Sequence, residues 1–151
     1  ARSIDVDEEG NILVGSRGDF GFISNDGNGN PKFSSLKIFL DKENNNRDII
    51  YESFSLSNNE VFFRSKNRLF FYKDEKLSII EKIKKKKFGV SRYINNKLYI
   101  AIEGLGIATI ENKEIFLIKN SEIFKNKSVS GFHFSEENNL IIITFTKFIC
   151  C

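Results

Sequence analysis

The sequence predicts an all-β protein, an incomplete β-propeller of about three and a half four-stranded antiparallel blades, and three observations predict it. A short apolar strand recurs four times in 151 residues: NILVGS at Asn11 to Ser16, EVFFRS at Glu60 to Ser65, KLYIAI at Lys97 to Ile102 and NLIIIT at Asn139 to Thr144. Anchored on Ile12, Val61, Leu98 and Leu140, the steps are 49, 37 and 42 residues, the spacing of propeller blades. Each of these strands is apolar without alternation, as a strand covered on both faces must be, and stacked blades cover both faces of each other's sheets.

Each repeat reads as a meander of short strands. In the first, residues 1–40, strands run Ser3 to Asp7, Asn11 to Ser16, Phe20 to Ser24 and Lys32 to Phe39, turned by Glu8-Glu9-Gly10, Arg17-Gly18-Asp19 and a Gly/Asn loop. In the second, residues 47–83, they run Ile49 to Leu56, Val61 to Ser65, Leu69 to Tyr72 and Leu77 to Ile83. In the third, residues 88–118, they run Gly89 to Ile94, Leu98 to Ile102, Gly106 to Ile110 and Glu114 to Ile118. The half blade, residues 129–151, holds Ser130 to Phe134 and Leu140 to Phe145. Asn, Asp and Gly in the close-spaced turns mark hairpins. The polar stretch Asp41 to Arg47 reads as a loop between blades.

The length is that of one domain or part of one, and 40% hydrophobic residues support a packed core. A net charge of +3 is mild and gives no ground for a nucleic-acid partner. The chain contains no Met, so it is expected to have lost a leader or to be a piece of a longer product. The longest apolar run, Leu140 to Cys151, is broken by Lys147 and is shorter than the ~20 residues a membrane helix needs. Cys150 and Cys151 are adjacent and cannot build a disulfide framework.

The stretch Asp7-Glu8-Glu9-Gly10-Asn11-Ile12-Leu13-Val14-Gly15-Ser16 resembles the repeat of two-component-regulator propellers, with Leu13 in that repeat's Trp place and Ser16 in its Thr place. Gly104-Leu105-Gly106-Ile107 is similar to the family's turn into its third strand, and Asn126-Lys127-Ser128-Val129 to its link into the next blade. Arg64, Ala101 and Ile143 stand where the first repeat has Gly15. The resemblance implies the periplasmic or extracytoplasmic sensor part of a bacterial regulator, with small carbohydrate fragments as ligands. Its partners would then be the remaining blades and signalling domains of a larger protein.

Several motifs invite chemistry. Arg17-Gly18-Asp19 spells an adhesion tripeptide but falls where the repeat needs a turn. Asp26-Gly27-Asn28-Gly29-Asn30 opens like a calcium loop, yet Pro31 and Lys37 occupy the places of its required Gly and bidentate Glu. Lys82 and Lys84 to Lys87 read as a solvated loop beside Phe88. His133, the one histidine, has no companion at ligand or triad spacing, so no catalytic residue, metal site or cofactor is expected.

The candidate ligand-binding residues are Tyr51, Arg92, Tyr93 and His133. All four lie on first strands of successive repeats, and aromatic faces and planar donors suit sugar rings and carboxylates. Alternation sends Arg92 and Tyr93 to opposite faces. The expected function is therefore ligand binding by a propeller fragment. The alternatives are a protein-interaction scaffold and a propeller enzyme, a glycosidase or lyase. The unfinished sheet at Leu140 to Phe145 is expected to drive self-association.

Overall fold

The computed structural model describes residues 1–41, 48–137 and 139–145. Among them, fourteen strands form three four-stranded sheets and one two-stranded sheet, every pairing antiparallel and between chain neighbours. No helix among the described residues is long and apolar enough to cross a membrane. The chain divides into two compact units, Ala1–Lys82 and Ile83–Cys151.

The first unit holds two sheets. One comprises β1 (Ser3–Val6), β2 (Ile12–Gly15), β3 (Phe20–Asn25) and β4 (Pro31–Ser35); the other β5 (Glu52–Ser55), β6 (Val61–Arg64), β7 (Arg68–Lys73) and β8 (Lys76–Glu81). The second unit holds β9 (Phe88–Ile94), β10 (Lys97–Ile102), β11 (Gly106–Glu111) and β12 (Glu114–Leu117), then the pair β13 (Ser128–Phe134) and β14 (Leu140–Phe145). A strand therefore lies within each expected stretch. Of the loop expected at Asp41 to Arg47, positions 42 onward lie outside the described residues, as do Cys150, Cys151 and the rest of the half blade after Phe145.

The hairpins follow their turn residues. Asp74-Glu75, Asn95-Asn96 and Asn112-Lys113 each join two strands with both residues at positive φ, the turn whose twist matches the strands it connects. Two longer turns share the pattern Asp-x-x-Gly-Asn. In each, Oδ1 of the Asp, Asp7 or Asp26, accepts backbone N–H groups two and four residues on, and Gly10 and Gly29 take φ of +84° and +82°. The Asp26 loop is thus a self-contained turn. Those donors, chiefly from Asn30 and then Asn28, hold the exposed Asp26 carboxyl below its ordinary 3.8. A depressed folded-state value stabilises the loop above that pH, and the stabilisation fades as pH falls through the lower, folded value. NMR titration of Asp26 is expected to give a midpoint below 3.8 that stays depressed in Asn30→Ala, which removes only the 3.5 Å side-chain contact and keeps the backbone N–H donors; an unshifted midpoint in the parent chain contradicts the loop.

Two strand expectations are corrected. The fourth strand ends at Ser35, and Leu36–Phe39 form a 3-10 turn. The Ser35 hydroxyl accepts the Lys37 N–H at 3.2 Å, and the turn carries Leu36 into the core, where it is 2% exposed. The first strand of the second repeat begins at Glu52, not Ile49. Asp48 and Ile50 are held by the preceding turn instead, through Gly18 N–H to Asp48 C=O at 2.8 Å and Ile50 N–H to Ser16 C=O at 2.9 Å.

In the first unit, the two sheets pack through Leu13, Phe20, Leu36, Ile50, Val61, Phe63 and Phe70. Gly15 leaves room for its neighbours: a Cβ there would collide with Ser3 Oγ of β1 and with Ile50 Cγ2 of the segment before β5. In the second, Tyr99, Ala101, Ile107 and Phe132 are the centre, joined by Leu140 and Ile142 of β14. Buried Ser121 closes this core, its hydroxyl accepting the Ile107 N–H and donating to the Ile107 C=O, both at 3.0 Å.

The expectation that every second strand is covered on both faces holds for β6, buried at all four positions, and for β10, buried from Leu98 onward. It does not hold for β2, where Ile12 is 39% exposed, or for β14, which alternates half-buried and exposed. These two belong to the first and last sheets among the described residues, each with one face open.

Candidate functional site

Tyr51 is the predicted residue around which the structure gathers charge. It precedes β5, and its N–H donates to the Arg64 C=O at the end of β6 at 2.8 Å. Arg2 precedes β1, with its N–H on the Gly15 C=O at the end of β2 at 2.7 Å. Antiparallel pairing thus brings two strand starts and two strand ends to one end of the first unit. There, three cations surround the half-buried Tyr51 ring: the Arg2 guanidinium 5.8 Å from its centroid, the Arg64 guanidinium 5.4 Å and the Lys66 ammonium 5.4 Å. All three lie within cation–π range.

The three cations differ in their surroundings. Arg64 is buried and its Nε meets Glu52 Oε2 at 2.6 Å. Arg2 and Lys66 are exposed and make no ion pair among the described residues. The result is an aromatic face rimmed by two solvated cations over one neutralised pair. Chemically, that arrangement accepts an anionic group alongside a ring. Sequence reasoning found Tyr51 and missed Arg2, Arg64 and Lys66. The signal was available: a basic residue just before the first strand and two more bracketing the end of a second strand.

The other predicted residues do not join into one site. Arg92 and Tyr93 lie on β9 in the second unit, paired with Tyr99 and Leu98 and so on opposite faces. Arg92 is exposed, and Tyr93 donates from its hydroxyl to Asn96 Oδ1 at 3.5 Å. His133 on β13 is exposed and paired with Ile141. Its neighbours Phe132 and Phe134, which alternation places on the other face, are the ones packed into the core.

Arg17-Gly18-Asp19 forms the β2–β3 turn. Asp19 Oδ1 accepts the Phe20 N–H at 2.8 Å and the Ser35 hydroxyl at 2.6 Å, so its carboxylate is engaged within the fold. The lysine run begins with a short 3-10 turn, Ile83–Lys85.

A second feature lies at the other end of the first unit's strands. A recess of about 460 Å³ opens between the hairpin turns, with Phe22 and Tyr72 as walls and Asp7, Glu9, Asp74 and Glu75 on its rim. The two rings are 5.3 Å apart. Burial, and then the Glu75 charge, push the Tyr72 phenol up from its ordinary value. No group of three or more His, Cys, Asp or Glu among the described residues is placed to hold a metal ion.

No protein-family model matches this chain, and no curated protein matches it. Solved structures do. Virginiamycin B lyase from Staphylococcus aureus, a propeller enzyme, is similar at a TM-score of 0.64 and 15% identity over 93% of this chain. A catalytically inactive histidine-to-alanine form of that lyase with quinupristin gives 0.61 and 14%, also over 93%. The chain spans about half the length of these structures, 47% and 54%. At such identity the likeness shows the fold, which is of the propeller type.

Proposed function

We propose that this chain is a three-and-a-half-blade segment of a propeller that binds rather than catalyses, and that its ligand is a carbohydrate fragment bearing a carboxylate. The observation that supports it is the Tyr51 ring with Arg2 and Lys66 at its rim. A sugar ring stacks on the aromatic face while its carboxylate reaches the cations. This reading agrees with the two-component-regulator resemblance of Asp7 to Ser16, under which the segment belongs to an extracytoplasmic sensor.

Calorimetric titration with a galacturonate oligomer and with a neutral galactose oligomer tests it. The galacturonate oligomer is expected to bind more tightly, and the Arg2→Ala/Lys66→Ala double variant to weaken it by about tenfold or more. That follows from hydrogen bonds to charged groups being worth about 1.5–3 kcal/mol. Equal binding of the two oligomers, or an unaffected double variant, refutes the site.

A second reading, lyase chemistry, is favoured by the two solved structures alone. Consumption of quinupristin by the purified chain is the measurement that would establish it.

A further inference from the structure

Two apolar faces of this protein are open. On the first sheet, Ile4 and Val6 of β1, Ile12 of β2 and Phe33 of β4 share one face, since Val6 lies opposite Ile12, Ile12 opposite Ile23 and Ile23 opposite Phe33. They are 66%, 54%, 39% and 44% exposed. On β14, Ile141, Ile143 and Phe145 share one face and are 44%, 51% and 72% exposed. Each face is the back of a sheet whose front lies in a core. Contiguous exposed apolar side chains of this kind mark an interaction surface.

We propose that a second copy of this chain covers them head to tail, the Ile4, Val6, Ile12 and Phe33 face of one copy seated on the Ile141, Ile143 and Phe145 face of the other. Two observations support this occupant. Sheets of this chain already stack face on face, the first on the second within one unit and the β9–β12 sheet on the β13–β14 pair within the other, so the contact continues an existing packing. The charges are complementary. Residues 1–82 carry 12 Lys and Arg against 14 Asp and Glu, a net −2, and residues 83–151 carry 11 against 6, a net +5. Opposite sign steers one unit onto the other and disfavours like on like.

Light scattering on the 151-residue chain across micromolar to millimolar concentration tests the proposal, with Ile4→Lys and Ile143→Asp as variants. Both positions are exposed, and retention of the parent's circular dichroism checks folding. The parent is expected at twice 17.4 kDa. Each variant alone is expected at the mass of one copy, and an equimolar mixture of the two is expected to regain the mass of two, because one Lys–Asp contact and one unaltered contact then form. A parent that stays monomeric overturns the proposal. So does a pair indifferent to both variants, or one broken by Ile4→Lys but not by Ile143→Asp, which would mean like faces meet. Failure of the mixture to regain the pair overturns the head-to-tail arrangement.

Discussion

Replacing Phe63 with alanine is expected to destabilise the first unit by about 3–5 kcal/mol, the range for emptying a buried aromatic position. Phe63 is fully buried. Its ring lies 5.0 Å from Phe20 of the facing sheet, and it sits opposite both Ser53 and Phe70 in its own. The side chain therefore closes the contact between sheets as well as filling a site within one. The cavity would be bounded on both sides by β-strands, which cannot collapse inward without breaking register. Urea unfolding reads the effect as a fall in midpoint of more than about 1 M, given slopes of about 1–3 kcal/mol per molar. Ile38→Ala, on the 3-10 turn and 79% exposed, is the control and is expected to cost well under half as much. Equal losses at the two positions would show that the face between the sheets is not the core.

Glu52→Ala is expected to cost about 3 kcal/mol, the lower end of the range for stranding a buried charge. The Arg64 side chain is 7% exposed and that of Glu52 19%, so little water is available to replace the lost carboxylate. The double variant Glu52→Ala/Arg64→Leu is expected to recover most of the loss, because removing both charges removes the desolvation cost along with the attraction. The same pair sits under Tyr51, which gives a second readout. Glu52→Gln retains the side chain's shape, removes the carboxylate charge beside Arg64, and is expected to tighten galacturonate binding several-fold. A Glu52→Ala variant as stable as the parent would mean that the Arg64 charge does not depend on this carboxylate. A Glu52→Gln variant with unchanged affinity would detach the ligand from this cluster.

The local architecture was legible because it is governed by local chemistry. Strand cores such as Val61 to Arg64 and Lys97 to Ile102 announce themselves by β-branched and aromatic content. Their turns are marked by Asn and Asp, which tolerate positive φ. The two misplaced boundaries share one cause. Leu36 and Ile50 are apolar and suit a strand, but each is buried by contacts made far along the chain, which draw its segment out of the ladder. Propensity carries no information about such contacts. The candidate site failed to read out for a related reason: Arg2, Tyr51, Arg64 and Lys66 are up to 64 positions apart. They meet because antiparallel pairing returns successive strands to the same edge.

By itself, then, the sequence determined an all-β chain of repeated antiparallel meanders and the hairpins that join them, since apolar strand runs and turn chemistry are properties of neighbouring residues and the repeat is read from their recurrence along the chain. Only the tertiary structure decided which faces are covered, which cations lose their water and which aromatic ring they surround. Those outcomes depend on how one sheet lies on the next, and the free energy of burial belongs to pairs of surfaces, not to any single stretch of chain.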